Sequence, residues 1–140
     1  MSVVVDASVA LDWMFESERT PWANHVLESA AHEGATVPAI FPYEVANGLL
    51  VAIRSGRFEK KDLPRALALL ERLDLVAPAS GVAEEARRMI LSGLTTGLTA
   101  YDSAYLELAL RESLPLATHD ADLRLAAEKA GVVLFEPAGP

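Results

Sequence analysis

A chain of 140 residues is one domain's worth, long enough to bury on the order of 70% of the surface its extended form exposes. Hydrophobic residues make up 51% of it and mean hydropathy is +0.23, yet no apolar run nears the roughly 18 residues a membrane crossing needs, so the excess belongs to a core or to an oligomer or partner surface. A formal net charge of −8 argues against a protein whose main task is neutralising a nucleic-acid backbone, while leaving room for an enzyme that meets nucleic acid through bound cations.

The absence of cysteine excludes disulfides, zinc–thiolate sites and thiol chemistry. The start, Met1 to Asp6, has no basic region and meets a carboxylate too early for a signal peptide. A cytoplasmic protein is expected.

Short β-branched runs alternate with helical patterns along the chain, the mark of strand–helix–strand units and a parallel sheet. Residues 2–6 read as a buried first strand. Thr20 caps a helix with Pro21 at its first position, and Gly34 ends it. A second strand is predicted over 36–40, followed by a helix opened by Pro42 and running to about Ser55. Leu63, Ala66, Leu67, Leu70 and Leu73 form the buried stripe of the next helix. A third strand is expected over 75–77, then a helix capped by Ser80 and reaching about Leu91. Residues 95–99 read as a polar loop, and Thr99 caps a helix through about Glu112. A fourth strand over 116–118, a helix from about Ala121 to Ala130 ended by Gly131, and a last strand over 132–135 complete the pattern. No repeat, linker or low-complexity segment divides it, so the reading is a single domain over 1–135 with a frayed tail at 136–140.

Parallel strands joined by right-handed crossovers all leave the sheet at one edge, where ligands bind. Asp6 ends strand one, Glu44 lies in the first turn after strand two, and Asp120 follows strand four. Asp102 opens its helix after a loop, so its place at that edge is less forced. Each acid alone has an ordinary explanation, because free N–H groups at helix starts attract carboxylates; Asp102 fits a capping box with Thr99 and Asp120 an N-cap. Glu44 stands in the apolar stretch from Ile40 to Ala46, and Asp6 ends a strand expected to be covered on both faces.

Together the acids say more. Two carboxylates about 5 Å apart repel by roughly 3 kcal/mol at an effective dielectric near 20, so four need protons or a cation. Hard oxygen donors without Cys or clustered His point to Mg²⁺ or Mn²⁺, the usual equipment for phosphoryl chemistry.

The same segments carry a resemblance. Val4-Val5-Asp6-Ala7-Ser8, Pro42-Tyr43-Glu44-Val45-Ala46-Asn47-Gly48-Leu49, the run from Thr99 to Ala109 containing Asp102, and Leu116-Ala117-Thr118-His119-Asp120-Ala121-Asp122-Leu123 resemble the four ordered motifs of PIN-domain ribonucleases, in particular the VapC-type toxins of VapBC toxin–antitoxin pairs. The resemblance implies a three-layer α/β/α domain with a parallel five-stranded sheet. It also implies Mg²⁺- or Mn²⁺-dependent endoribonuclease activity that leaves a 5′-phosphate and a 3′-hydroxyl. Carried over by position, Asp6, Glu44, Asp102 and Asp120 become the metal-binding acids, Asp120 being favoured over Asp122 by its match to Thr-x-Asp. Single-domain members of this length are mostly toxins held inactive by a cognate antitoxin, commonly as homodimers. A housekeeping RNA-processing nuclease of the same type, or a non-catalytic module binding a cation or partner, are the alternatives. Phosphatase and phosphate-receiving domains fit poorly, since Asp6 is followed by Ala7-Ser8 and no lysine lies between Leu116 and Asp122.

Ser8, Asn47 and Thr118 are placed to orient the acids through hydrogen bonds, with helix capping an equal explanation for Ser8 and Thr118. Arg54, Arg57, Lys60, Lys61 and Arg65 are the one basic cluster; they read equally as an RNA or partner patch and as a solvated junction. Trp13 with Phe15, and Tyr101 with Tyr105, could stack on bases or pack in a core or interface. His25, His32 and His119 lack ligand spacing, His119 bordering the site with a surface role preferred; Asp12, Asp62 and Asp74 read as surface or capping acids.

Overall fold

Val3–Val5 form strand β1 with all three side chains buried, as a strand covered on both faces requires. In the computed structural model, which describes residues 2–136, β1 is flanked by β2 (Ala35–Thr36) and β4 (Leu116–Ala117), and β3 (Leu75–Val76) lies outside β2. Every pairing is parallel, with Val3 opposite Ala35, Val4 opposite Leu116 and Ala35 opposite Leu75. The helices are α1 (Ala7–Met14), α2 (Pro21–Glu33), α3 (Phe41–Arg54), α4 (Leu63–Glu71), α5 (Val82–Thr96), α6 (Ala100–Glu112) and α7 (Ala121–Ala130). They cover the sheet to give the expected three-layer α/β fold, and no helix of the described residues is long and apolar enough to cross a membrane.

The expected fifth strand is reduced to one parallel pairing, between Leu116 and Leu134. Leu116 donates to Val133 O and accepts from Phe135 N, and the ladder stops there for two reasons. Upstream, the Leu114 N–H that would continue it is given to the Ala109 carbonyl. Downstream, the Phe135 carbonyl accepts the Trp22 indole N–H at 3.1 Å. Of the predicted frayed tail, only Glu136 is described, and it pairs with Arg124 at 2.6 Å; residues 137–140 lie outside the described residues.

Helix α5 and strand β2 differ from expectation. Helix α5 starts after Gly81 rather than at a Ser80 cap, the Ser80 hydroxyl meeting the Glu85 carboxylate instead. It also runs on to Thr96, because the Thr95 and Thr96 hydroxyls bond back to the carbonyls of Leu91 and Ser92 at 2.9 and 2.8 Å. Left-handed Gly97 then closes it. Strand β2 is short because Pro38 removes a donor just beyond it.

The sequence reading placed no helix between Asp6 and Thr20, yet α1 occupies residues 7–14. Its signals were an N-cap at Asp6 and buried Val9, Ala10, Trp13 and Met14 at helical spacing. Helix α1 packs closely on α3: a Cβ on Gly48 would sit 2.4 Å from Leu11 Cδ1. That close approach brings the start of α3, with Glu44 and Asn47, over the start of α1.

Candidate active site

Asp6, Glu44, Asp102 and Asp120 line one open cleft of about 540 Å³ at the carboxyl edge of the sheet. Ser8, Leu11, Asn47, Gly48 and His119 complete most of its wall. The acids arrive from the ends of β1 and β4 and the first turns of α3 and α6, as crossover topology requires.

Helix caps and one buried hydroxyl hold Asp6 and Asp120. Asp6 is buried and caps α1, accepting the Ser8 N–H at 3.4 Å and the Thr118 hydroxyl at 2.8 Å. Thr118 is fully buried and also accepts the Asp120 N–H at 3.1 Å, so one hydroxyl ties two of the acids together. Asp120 caps α7 through the Leu123 N–H at 2.9 Å. Thr99 caps α6 by accepting the Asp102 N–H at 3.2 Å. The capping reading is realised for Asp6 and Asp120, and it fixes two of the carboxylates that border the cleft. Asp122 is exposed and outside the cleft wall, yet close enough to repel Asp102.

Tyr105, which the sequence leaves between base stacking and a core, is core, and its contact with Glu44 is what sequence reasoning missed. Its ring is buried, and its hydroxyl donates to Glu44 Oε1 at 2.5 Å while accepting the Ala7 N–H at 3.3 Å. Burial, then the Glu44 carboxylate, push its phenol far above the usual range, so it stays a donor. Its spacing from Asp102, three residues on the same helix, was the available signal. Tyr101, its predicted aromatic companion, is instead exposed on another groove with Tyr43.

The acids feel one another. Burial raises the Glu44 pKa; the Tyr105 hydrogen bond opposes this, and repulsion from Asp6 and Asp102 adds to it. Burial likewise raises that of Asp102, joined by repulsion from Asp120, Asp6 and Asp122. A carboxyl whose folded pKa lies above its unfolded value costs nothing below the unfolded value and destabilises increasingly as pH rises through the folded one. In metal-free buffer at neutral pH, Glu44→Gln is therefore expected to raise the melting temperature by a few degrees. The gain should vanish as pH falls below the ordinary value of 4.5; a pH-independent change in the melting curve would contradict it.

The donor set fits a hard divalent cation: four carboxylates, with the Ser8 hydroxyl buried at the cleft and without a hydrogen-bond partner. The acids border the cleft without closing on a point, and among the described residues no three are gathered tightly enough to share an ion as placed.

The other predicted residues fall elsewhere. Asn47 is exposed on the cleft wall. None of Arg54, Arg57, Lys60, Lys61 and Arg65 lines the cleft. Arg57 pairs with Glu18 and lies over the Phe15 ring at 4.7 Å, Arg65 pairs with Glu16, and Lys61 meets Glu59 at 3.3 Å. Trp13 and Phe15 are core, Phe15 packing edge-on against Phe58. Asp12 is more than a surface acid, being largely buried against His119 at 2.9 Å, with its pKa raised by burial.

The PIN domain family model matches residues 3–129. Among solved structures the chain is similar to PAE2754 from Pyrobaculum aerophilum, at 22% identity and TM-score 0.67, covering 90% of this chain and 86% of that one. It is also similar to FitAcB from Neisseria gonorrhoeae, at 21% identity and TM-score 0.63, covering 96% of each chain. A toxin–antitoxin complex from Klebsiella pneumoniae matches at 20% identity and TM-score 0.62, over 97% of this chain and 100% of that one. No match was found among curated proteins. At these identities the solved structures speak to the fold, and the family model speaks to descent: the chain belongs to the PIN domain family.

Proposed function

We propose that this protein is a Mg²⁺- or Mn²⁺-dependent endoribonuclease that serves as the toxin of a toxin–antitoxin pair. The observation that carries the reading is the single cleft walled by four acids from four separate segments. PIN domains are generally nucleases, and the Klebsiella neighbour is a toxin–antitoxin complex.

Asp6, Glu44, Asp102 and Asp120 would hold the ion, which when bound supplies a Lewis acid and an acidified water for attack on a phosphodiester. The chain's own work is positional. Thr118 and the Ser8 N–H hold Asp6, Tyr105 holds Glu44, and Arg124 braces the turn before α7 by donating to the Thr118 carbonyl at 2.8 Å. Asn47 and Ser8 stand beside the acids as further polar partners. Asn47→Ala is expected to weaken Mn²⁺ binding about 10- to 100-fold in a calorimetric titration, with an unchanged melting curve in metal-free buffer. Unaltered Mn²⁺ affinity refutes that role.

The proposed partners have surfaces to use. Helix α5 exposes Val82, Ile90, Leu91 and Leu94, an unpartnered apolar face suited to a homodimer. A groove of about 430 Å³ lined by Trp13, Leu27 and Leu69, with Arg19, Arg72 and the Arg65–Glu16 pair beside them, suits an amphipathic antitoxin segment.

The test is cleavage of single-stranded RNA in EDTA, Mg²⁺ and Mn²⁺. Cleavage only with the divalent ion supports the reading. Equal cleavage in EDTA overturns it, and Mn²⁺ binding without cleavage returns the chain to a non-catalytic module.

A further inference from the structure

Among the described residues no lysine or arginine lines the acidic cleft, and its one imidazole is that of His119. The His119 side chain is 51% exposed, yet its position is defined from two sides. Its Nε2 meets Asp12 Oδ2 at 2.9 Å, and Trp22 packs edge-on against the ring with centroids 6.2 Å apart. Trp22 is anchored in turn by its hydrogen bond to the Phe135 carbonyl. Neither Asp12 nor Trp22 lines the cleft; both act on it through the ring.

A carboxylate can only accept, so the partner of Asp12 is an Nε2–H. Nδ1 is then the ring nitrogen left to a ligand, in a cleft whose other polar side chains are largely carboxylates. It suits the hydrogen-bonding groups that a nucleotide carries away from its phosphate, the ribose 2′-hydroxyl and the base edges.

We propose that His119, oriented by Asp12, is a specificity-determining residue that hydrogen-bonds such a group on the bound strand. The inference rests on the ribonuclease reading and extends it, since a contact to the 2′-hydroxyl distinguishes RNA from DNA.

The experiment measures fluorescence anisotropy of a labelled single-stranded RNA in Mg²⁺, on the Asp6→Asn protein with and without His119→Ala. A series of RNAs carries one 2′-deoxynucleotide or one abasic position at successive sites. His119→Ala is expected to weaken binding about 5- to 10-fold, and Asp12→Ala to act in the same direction but less. One modified position should weaken binding to the parent by a similar factor and add nothing in the His119→Ala protein, the signature of a shared contact. A 2′-deoxy position with this behaviour identifies the hydroxyl, an abasic one the base. In the otherwise native protein His119→Ala should raise KM more than it lowers kcat.

Unchanged affinity, or modifications that weaken both proteins equally, overturns the proposal. If the native protein cleaves no RNA, the nuclease reading falls separately, and the anisotropy still decides the contact.

Discussion

Asp6→Asn is expected to lower metal-dependent RNA cleavage about a thousandfold or more while leaving the protein folded. Asp6 also has a structural role. It caps α1 through the Ser8 N–H and accepts the Thr118 hydroxyl in a buried setting. Asparagine is as good an N-cap as aspartate, and its amide can give the Thr118 oxygen a hydrogen bond where the carboxylate received one, since that hydroxyl can rotate. The structural role is thus nearly conserved and the charge alone is removed.

A bound divalent ion stabilises transition-state charge by several kcal/mol, and about 4 kcal/mol corresponds to a thousandfold in rate. The check pairs cleavage kinetics in Mn²⁺ with the thermal melt of the metal-free protein. A fold-retaining Asp6→Asn with native cleavage would remove Asp6 from the proposed ligand set.

Trp13→Ala carries the largest expected loss of stability, about 3–5 kcal/mol. Trp13 is 2% exposed, and its indole N–H donates to the Ala23 carbonyl at 2.9 Å, joining α1 to α2. Truncation empties a large volume at the centre of the core and leaves that carbonyl without this donor. Against a total stability of roughly 5–15 kcal/mol for a typical domain, this is about a fifth or more. The melting temperature should fall by about 10 °C or more. Trp13→Phe, which keeps most of the volume, should lose only about 1–2 kcal/mol, chiefly for the lost indole hydrogen bond. Equilibrium denaturation of both variants measures the difference. Equal losses would mean that the hydrogen bond, and not the packing, dominates.

Much of the architecture was legible in residue patterns because its causes are local. Thr20 with Pro21, Thr99 and Asp120 start helices where their side chains cap free N–H groups, and Gly131 ends one at a left-handed position. Non-local competition explains the misreadings. The pattern at 132–135 has the composition of a strand, but Trp22, more than a hundred residues away, takes the carbonyl that would continue the ladder. Helix α1 was hidden because the run after Asp6 mixes buried and polar residues without a helix-stop signal.

The site divides along the same boundary. Acids at strand ends and helix starts follow from chain order and the handedness of crossovers, so Asp6, Glu44, Asp102 and Asp120 could be nominated from the sequence. Which side chains touch them could not. Tyr105 on Glu44, Thr118 between Asp6 and Asp120, and Asp12 behind His119 are contacts between segments 61 to 112 residues apart. Periodicity and capping act over a few residues and are written in the order of the chain. Hydrogen bonds across the cleft depend on how α1, α3, α6 and α7 pack on the sheet, and that packing exists only once the whole chain has folded.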